Sequence, residues 1–202
     1  MAWVGLTGAL HMDGFCDVCD GLFGGQTAEG RLRIMRDPHL GTFGLVGGLL
    51  LLLGKFAAIQ SLVRGPASVA NGALSVDFCA RVICAAVIIS RCLVLLLAAK
   101  ARYPRSEGTG KPVIEATRWP EAVAFAVLAA AVSWYAAPHF SGVLALGIFL
   151  PPFLGVWLLR WICQRRLNGT TGDCLGAAIE MSEVLFLISA AVVQRVAMNA
   201  AP

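Results

Sequence analysis

Long apolar runs alternate along this chain with short segments that are rich in Gly, Pro and Arg. A membrane-spanning helix needs about 20 predominantly apolar residues. Five runs come close to that length, and they cover residues 43–63, 81–99, 121–137, 142–159 and 175–198. Residues 64–80 and 138–141 are expected to connect spans, and Pro151-Pro152 is expected to break the fourth span. The pattern predicts an all-α, polytopic transmembrane helix bundle of about five spans.

Composition supports a membrane protein. Of the 202 residues 58% are hydrophobic, and the mean hydropathy of +0.76 is well above that of soluble domains. We therefore expect residues 1–202 to form a single integral membrane domain in a lipid bilayer, with no nucleic-acid partner. The seven cysteines show no spaced framework, and Cys79, Cys84 and Cys92 are interpreted as small buried side chains.

A Gly-rich acidic segment, residues 7–42, precedes the first clear span. On a helix its Asp13, Asp17 and Asp20 would stand at i, i+4 and i+7 and fall within about 60° of one another. Carboxylates on one face repel, and a hard divalent cation such as Mg²⁺, Mn²⁺ or Ca²⁺ would relieve that repulsion. A solvated acidic helix face is the alternative. Gly14 and Gly21 count against a helix, since each interior Gly costs about 1 kcal/mol relative to Ala.

Two cysteines lie within this acidic segment. Cys16 and Cys19 form a C-x-x-C motif that is typical of redox or zinc sites. No second such motif or neighbouring His pair accompanies it, so we interpret both as small residues that fit between the aspartates.

A second acidic face begins the last span. Asp173 and Glu180 would differ by only about 20° on a helix, with Glu183 about 60° further round. Carboxylates at the mouth of a membrane helix are costly unless they pair or bind metal. Arg165 or Arg166 could neutralise them, which leaves a purely structural role open.

Basic residues follow the first acidic region and recur in a later loop. Arg31, Arg33 and Arg36 suit either a phosphate ligand or the anchoring of the next span. The loop at residues 100–111 could wrap an anion or could be an ordinary positive loop. Within the spans, Lys55 could pair inward or snorkel, and Arg91 is expected to pair with a carboxylate of another helix.

Counting spans places all three motif-bearing segments on the same side of the membrane. Eleven of the sixteen Lys and Arg residues lie in these segments, and the positive-inside rule makes that face cytoplasmic. An acidic pocket with many cations around it is the setting that metal-assisted phosphoryl transfer needs.

Three motifs carry a family resemblance. They are His11-x-Asp13-Gly14-x-x-Asp17-x-x-Asp20-Gly21-Leu22-Phe23-Gly24-Gly25, then Arg33-Ile34-Met35-Arg36-Asp37 with Gly41-Thr42-Phe43-Gly44, and Thr171-Gly172-Asp173-Cys174-Leu175-Gly176-Ala177 with Glu180 and Glu183. In this combination the chain resembles the cobalamin synthase family, adenosylcobinamide-GDP ribazoletransferase, from about residue 5 to residue 190.

The resemblance implies a reaction, a cofactor and a location. The 3′-hydroxyl of α-ribazole, or of its 5′-phosphate, would attack the pyrophosphate of adenosylcobinamide-GDP with Mg²⁺ present, giving adenosylcobalamin or its phosphate and GMP. The family consists of multi-pass proteins of the bacterial inner (cytoplasmic) membrane, and a homo-oligomer is compatible with it.

The resemblance also implies roles for individual residues. Asp13, Asp17 and Asp20 would hold the metal, and Asp173, Glu180 and Glu183 would complete its site or orient the attacking hydroxyl. Phosphate charge would be neutralised by Arg33, Arg36, Arg102 and Lys111. The remaining motif positions expected to bind substrate are His11, Asp37, Thr42 and Thr171.

Two departures from the family pattern stand out. Family members usually carry an additional segment ahead of the His-x-Asp-Gly motif, whereas ten residues precede His11 here, so an N-terminal truncation is an expectation. Cys16 and Cys19 replace residues that are more often Ala or another small residue.

Two other functions compete with this one. A CDP-alcohol phosphotransferase would need a D-x-x-D-G-x-x-A-R pattern, which Leu22-Phe23-Gly24-Gly25 interrupts. A divalent-cation transporter would need carboxylates at bilayer depth on several spans.

Overall fold

The computed structural model describes residues 8–64, 72–136 and 142–199, which form eight helices and no strand. In chain order these are α1 (Leu10–Gly24), α2 (Ala28–Ile34), α3 (Thr42–Arg64), α4 (Gly72–Ala98), α5 (Lys111–Ala116), α6 (Trp119–Ala136), α7 (Gly142–Arg166) and α8 (Gly172–Asn199). Five of them, α3, α4, α6, α7 and α8, contain stretches that are long and apolar enough to cross a membrane. The predicted all-α bundle of about five spans is confirmed.

Helix α8 forms the centre of the bundle. It packs against α1, α3, α4 and α7, and 67% of its spanning window is buried, compared with 22% for α3 and for α6. Its Phe186 and Leu187 are fully buried. The less buried spans present apolar side chains outward, such as Leu49 of α3, as a surface in contact with lipid requires.

The predicted loop at residues 64–80 is wrong for its second half. Helix α4 begins at Gly72, and the part long and apolar enough to span starts at Phe78. The prediction gave the single charged residue Asp77 more weight than the helix-forming residues around it. Within α4, Cys79 and Cys92 are buried as expected, but Cys84 is exposed on the outer face.

The predicted break at Pro151-Pro152 is also wrong, because α7 runs through both prolines and continues to Arg166. Each proline lacks an N–H group and crowds the carbonyl one turn earlier. Membrane helices tolerate this loss because packing and local adjustment satisfy the freed carbonyls. The polar stretch after Leu159 therefore begins as helix. The predicted connection 138–141, with His139, lies outside the described residues.

The glycines that count against a helix in the acidic segment are positions of close packing between α1 and its neighbours. A Cβ added at Gly14 would lie 2.9 Å from both Cα and the carbonyl oxygen of Asp173. From the other side, a Cβ at Gly176 would lie 3.1 Å from the carbonyl oxygen of His11. The two backbones therefore approach as closely as they do because these positions lack side chains.

We expect Gly14→Ala to lower the melting temperature of the protein in detergent. The added methyl group would overpack the crossing of α1 and α8, at a cost of about 1–3 kcal/mol, although Ala is the better helix former by about 1 kcal/mol. Gly24→Ala in the same helix is the matched control, because its Cβ would meet only the Cδ1 atom of Ile34, at 3.6 Å. Equal melting temperatures for the two variants would contradict this packing.

Candidate active site

The crossing of α1 and α8 gathers three carboxylates, which we call the acid cluster: Asp13 and Asp17 of α1 and Asp173 of α8. Burial and, after it, the negative charges of Asp13 and Asp173 together raise the pKa of Asp17 to about 7, while Arg105 acts in the opposite direction. Asp13 and Asp173 are 160 positions apart in the sequence. The first and last acidic motifs therefore meet in space.

The N-terminus of α8 fixes the position of Asp173. The Thr171 hydroxyl oxygen accepts a hydrogen bond from the Cys174 backbone N–H at 3.3 Å, so Thr171 caps the helix. The same hydroxyl donates a hydrogen bond to Asp173 Oδ2 at 3.3 Å. Arg105 Nη2 lies 2.8 Å from that carboxylate oxygen in an ion pair. Thr171 therefore has a structural role in this geometry, and its predicted contact with substrate is untested.

Asp20 lies on the same helix as Asp13 and Asp17 but has a different environment. Its two carboxylate oxygens accept hydrogen bonds from the backbone N–H groups of Gly41 and Gly44, both at 2.8 Å. It therefore caps the N-terminus of α3 through a tertiary contact. Its predicted role as a metal ligand is untested.

Glu180 and Glu183 are paired within the bundle. Lys55 of α3 lies 2.6 Å from a carboxylate oxygen of each, and the Arg91 guanidinium of α4 contacts Glu183. The Ser90 hydroxyl donates to Glu183 at 3.3 Å. The inward pairing of Lys55 and the pairing of Arg91 are thus confirmed.

The alternative partners of these glutamates have other contacts. The Arg165 guanidinium stacks on the Trp161 ring, and the Arg166 carbonyl accepts a hydrogen bond from the Arg31 guanidinium at 3.2 Å. The alternative in which Arg165 or Arg166 neutralises these glutamates is not the pairing that the structure shows, because Lys55 and Arg91 hold them. The predicted catalytic role of Glu180 and Glu183 stays a prediction.

An open cleft of about 350 Å³ leads to the acid cluster, and His11, Asp13, Thr109 and Asp173 are among the residues that line it. The Nδ1 atom of His11 is buried and makes no hydrogen bond within the described ranges. Burial lowers the pKa of His11, as does the positive charge of Arg91, and both effects favour the neutral ring. A neutral ring nitrogen at this position can bind a polar substrate group.

A second, smaller cleft is lined by arginines, and we call it the arginine cleft. It has a volume of about 210 Å³ and is lined by Glu29, Leu32, Arg33, Arg36, Pro104 and Arg105. The predicted phosphate-binding residues Arg33 and Arg36 therefore lie together. Arg102 and Lys111 do not line this cleft: the Arg102 carbonyl accepts from the Thr170 backbone N–H at 2.8 Å, and Lys111 donates to the Ser106 carbonyl at 2.9 Å.

Asp37 and Thr42 line a third cleft, of about 370 Å³, together with Asp20 and His39. The Asp37 carboxylate accepts from the His39 backbone N–H at 3.0 Å and lies 2.7 Å from His39 Nδ1. These hydrogen bonds lower the pKa of Asp37, which is fully exposed. Asp37 and Thr42 therefore lie apart from the acid cluster, beside the Asp20 cap, and their predicted substrate contacts are untested.

The two cysteines of the C-x-x-C motif pack against α3. A Cβ at Gly48 would lie 3.0 Å from the Cys16 sulfur, and one at Gly47 would lie 2.7 Å from the Cys19 sulfur. All seven cysteines are free, and the interpretation of Cys16 and Cys19 as small residues that fit between the aspartates stays a prediction.

The three polar segments meet at one end of the bundle, as the span count predicts. Besides the contacts of Asp173 with α1 and Arg105, a Cβ at Gly110 would lie 2.5 Å from Gly172 Cα. In the part of the chain described, no three or more His, Cys, Asp and Glu side chains are arranged to hold a metal ion. The Mg²⁺ requirement therefore stays a prediction.

One residue that lines the site was missed by the sequence. Arg105 connects the acid cluster to the arginine cleft, whereas Arg102 and Lys111 were chosen from the same loop. Nothing in the spacing of that loop separates its basic residues, since their directions depend on how the loop folds onto α8.

Fold and site together define a multi-pass membrane protein with clustered carboxylates and arginines at one end of its bundle. The sequence profile of one family, described as Cobalamin-5-phosphate synthase, matches residues 1–191. The chain belongs to this family, and so to the transferases of cobalamin assembly.

Similar proteins carry one name, adenosylcobinamide-GDP ribazoletransferase. The protein of Chlorobaculum parvum is 35% identical over 185 residues, covering 89% of this chain and 66% of the relative. That of Citrobacter koseri is 36% identical, covering 91% of this chain and 69% of the relative. That of Escherichia coli K12 is 33% identical with the same coverage. The chain thus spans about two thirds of the length of these relatives, and no solved structure matches it.

We expect Lys55→Met to destabilise the protein strongly, because it leaves two buried carboxylates without their shared cation. Breaking a buried ion pair in this way typically costs about 3–5 kcal/mol. Melting temperatures in detergent measure the effect, with Arg64→Met at the exposed end of the same helix as control. Adding Glu180→Gln to Lys55→Met should restore part of the loss. A Lys55→Met protein as stable as the control would disprove this account of the pairing.

The raised pKa of Asp17 predicts a pH-dependent stability. Since the folded pKa of about 7 exceeds the ordinary aspartate value of 3.8, the folded state holds this proton more tightly than the unfolded chain. The stabilisation is complete below about pH 4 and is lost as the pH rises through 7. With chelator present, Asp17→Asn should therefore melt above the wild type at pH 8, and the difference should shrink towards pH 5. Glu107→Gln, at an exposed position, should show no such trend.

Proposed function

We propose that this chain transfers the cobinamide-phosphate group of adenosylcobinamide-GDP to the 3′-hydroxyl of α-ribazole or α-ribazole 5′-phosphate. A new bond forms between the hydroxyl oxygen and the cobinamide-side phosphorus, and the bond from that phosphorus to the bridging oxygen breaks, so GMP leaves. The observation that carries the proposal is the acid cluster beside the arginine cleft, in a chain whose relatives bear this enzyme's name.

Mg²⁺ is the metal that this site would bind. Asp13, Asp17 and Asp173 would supply hard oxygen donors, and the negative charges of Asp13 and Asp173 contribute, after burial, to the raised pKa of Asp17. Bound there, a divalent cation would neutralise charge on the substrate diphosphate. Asp20 is less suited, because both its oxygens already accept backbone hydrogen bonds.

The cationic side chains bind and orient the phosphates. Arg33, Arg36 and Arg105 line one cleft and can donate charge-assisted hydrogen bonds to phosphate oxygens. His11 lines the cleft that leads to the acid cluster and can position the incoming hydroxyl. The charges of Glu180 and Glu183 are already offset by Lys55 and Arg91. The two glutamates therefore act on this site indirectly, by fixing the position of α8.

The active site would face the cytoplasm of a bacterial inner membrane. The segments at this end of the bundle carry eleven of the sixteen Lys and Arg residues, and such an excess is typical of the cytoplasmic side.

Purified protein supplied with adenosylcobinamide-GDP, α-ribazole 5′-phosphate and Mg²⁺ should release GMP, and chelator should abolish the release. Asp17→Asn should lower the rate of GMP release at least about a hundredfold. The change removes a negatively charged metal ligand from a site where electrostatic stabilisation contributes most to catalysis. Glu107→Gln removes the same charge from an exposed loop position and should leave the rate unchanged. Full activity of Asp17→Asn would disprove its role, and absence of GMP release by the wild type would refute the proposed function.

A further inference from the structure

The arginine cleft has an arrangement of charge that calls for an anion. Three guanidinium groups, those of Arg33, Arg36 and Arg105, share it with one carboxylate, that of Glu29. Bringing these positive charges together costs free energy, and a bound anion would offset that cost. Guanidinium groups match phosphate because they can donate two parallel hydrogen bonds to it.

Arg105 shows that the cleft is a built site and not only a patch of surface arginines. Its side chain is 10% exposed, and its Nε and Nη2 atoms donate no hydrogen bond to any residue that the structure describes. The Nη2 atom lies 2.8 Å from Asp173 Oδ2 without the alignment of a hydrogen bond. A buried donor without an acceptor is costly, and a phosphate oxygen in the cleft could satisfy it.

The position of the cleft indicates which phosphate it binds. A single side chain, Arg105, separates it from Asp173 of the acid cluster. The proposed reaction brings the donor diphosphate to the acid cluster, together with the attacking 3′-hydroxyl. A 5′-phosphate on the same ribose would then lie one sugar ring away, on the far side of Arg105. The volume of about 210 Å³ suits a phosphate with part of a sugar, and typical sites for whole ligands begin at about 300 Å³.

We infer that the arginine cleft, through Arg33, Arg36 and Arg105, is the subsite for the 5′-monophosphate of the acceptor nucleotide. This inference rests on the proposed function and sharpens it by assigning named residues to the 5′-phosphate of the acceptor. Arg102 and Lys111 lie outside this subsite.

The test compares two acceptors in Arg36→Gln, a change at an exposed position that leaves Arg105 and Asp173 intact. Arg36→Gln should lower kcat/KM for α-ribazole 5′-phosphate about tenfold or more, the effect of losing one charge-assisted hydrogen bond. With α-ribazole the same change should have an effect of less than about twofold. Arg33→Gln should behave in the same way, and Arg64→Gln, at the far end of α3, should leave both values unchanged.

Calorimetric titration of α-ribazole 5′-phosphate into the protein without donor gives an independent readout. The affinity should fall in Arg36→Gln and stay unchanged in Arg64→Gln. An equal loss with both acceptors would assign the cleft to the donor diphosphate and overturn the inference, as would no loss with either. If the wild type released no GMP but bound the nucleotide through Arg36, the subsite would stand and the proposed reaction would fall.

Discussion

Carboxylates that are packed close together in this bundle must be offset by positive charge, and the source of that charge divides the acids into groups. Glu180 and Glu183 are offset by Lys55 and Arg91, which belong to the protein. Asp20 is offset by two backbone N–H groups at the start of α3. The acid cluster of Asp13, Asp17 and Asp173 has only Arg105 as an ion-pair partner within the described residues. Its remaining negative charge is available to a ligand.

Close backbone contact makes this cluster, and small residues make the contact. Asp13 and Asp17 reach Asp173 because Gly14 lies against the first turn of α8 and Gly176 lies against α1. Each glycine weakens its own helix, so local propensity alone argues against helix α1. The cost is offset by tertiary packing of that helix, which is where most helical stability in proteins originates.

The sequence predicted what depends on hydropathy and periodicity. Five spans and their common polar end follow from residue spacing. Features that depend on how distant segments pack could not be read in this way. The pairing of Lys55 with both glutamates, the tertiary cap made by Asp20 and the inward direction of Arg105 each join residues from different helices or loops. The break predicted at Pro151-Pro152 is wrong because it follows from the behaviour of soluble helices, whereas membrane helices tolerate proline.

The ion pairs deep in the bundle determine how the site at its end is oriented. Asp173 and Glu180 are seven residues apart on α8, which places them about 10 Å apart along the axis and within about 20° on one face. Lys55 of α3 holds Glu180 and Glu183 and therefore fixes the rotation of α8 about its axis. Because α8 is one helix from Gly172 to Asn199, that rotation also sets the direction of Asp173. The buried network thus aims Asp173 at α1 and Arg105.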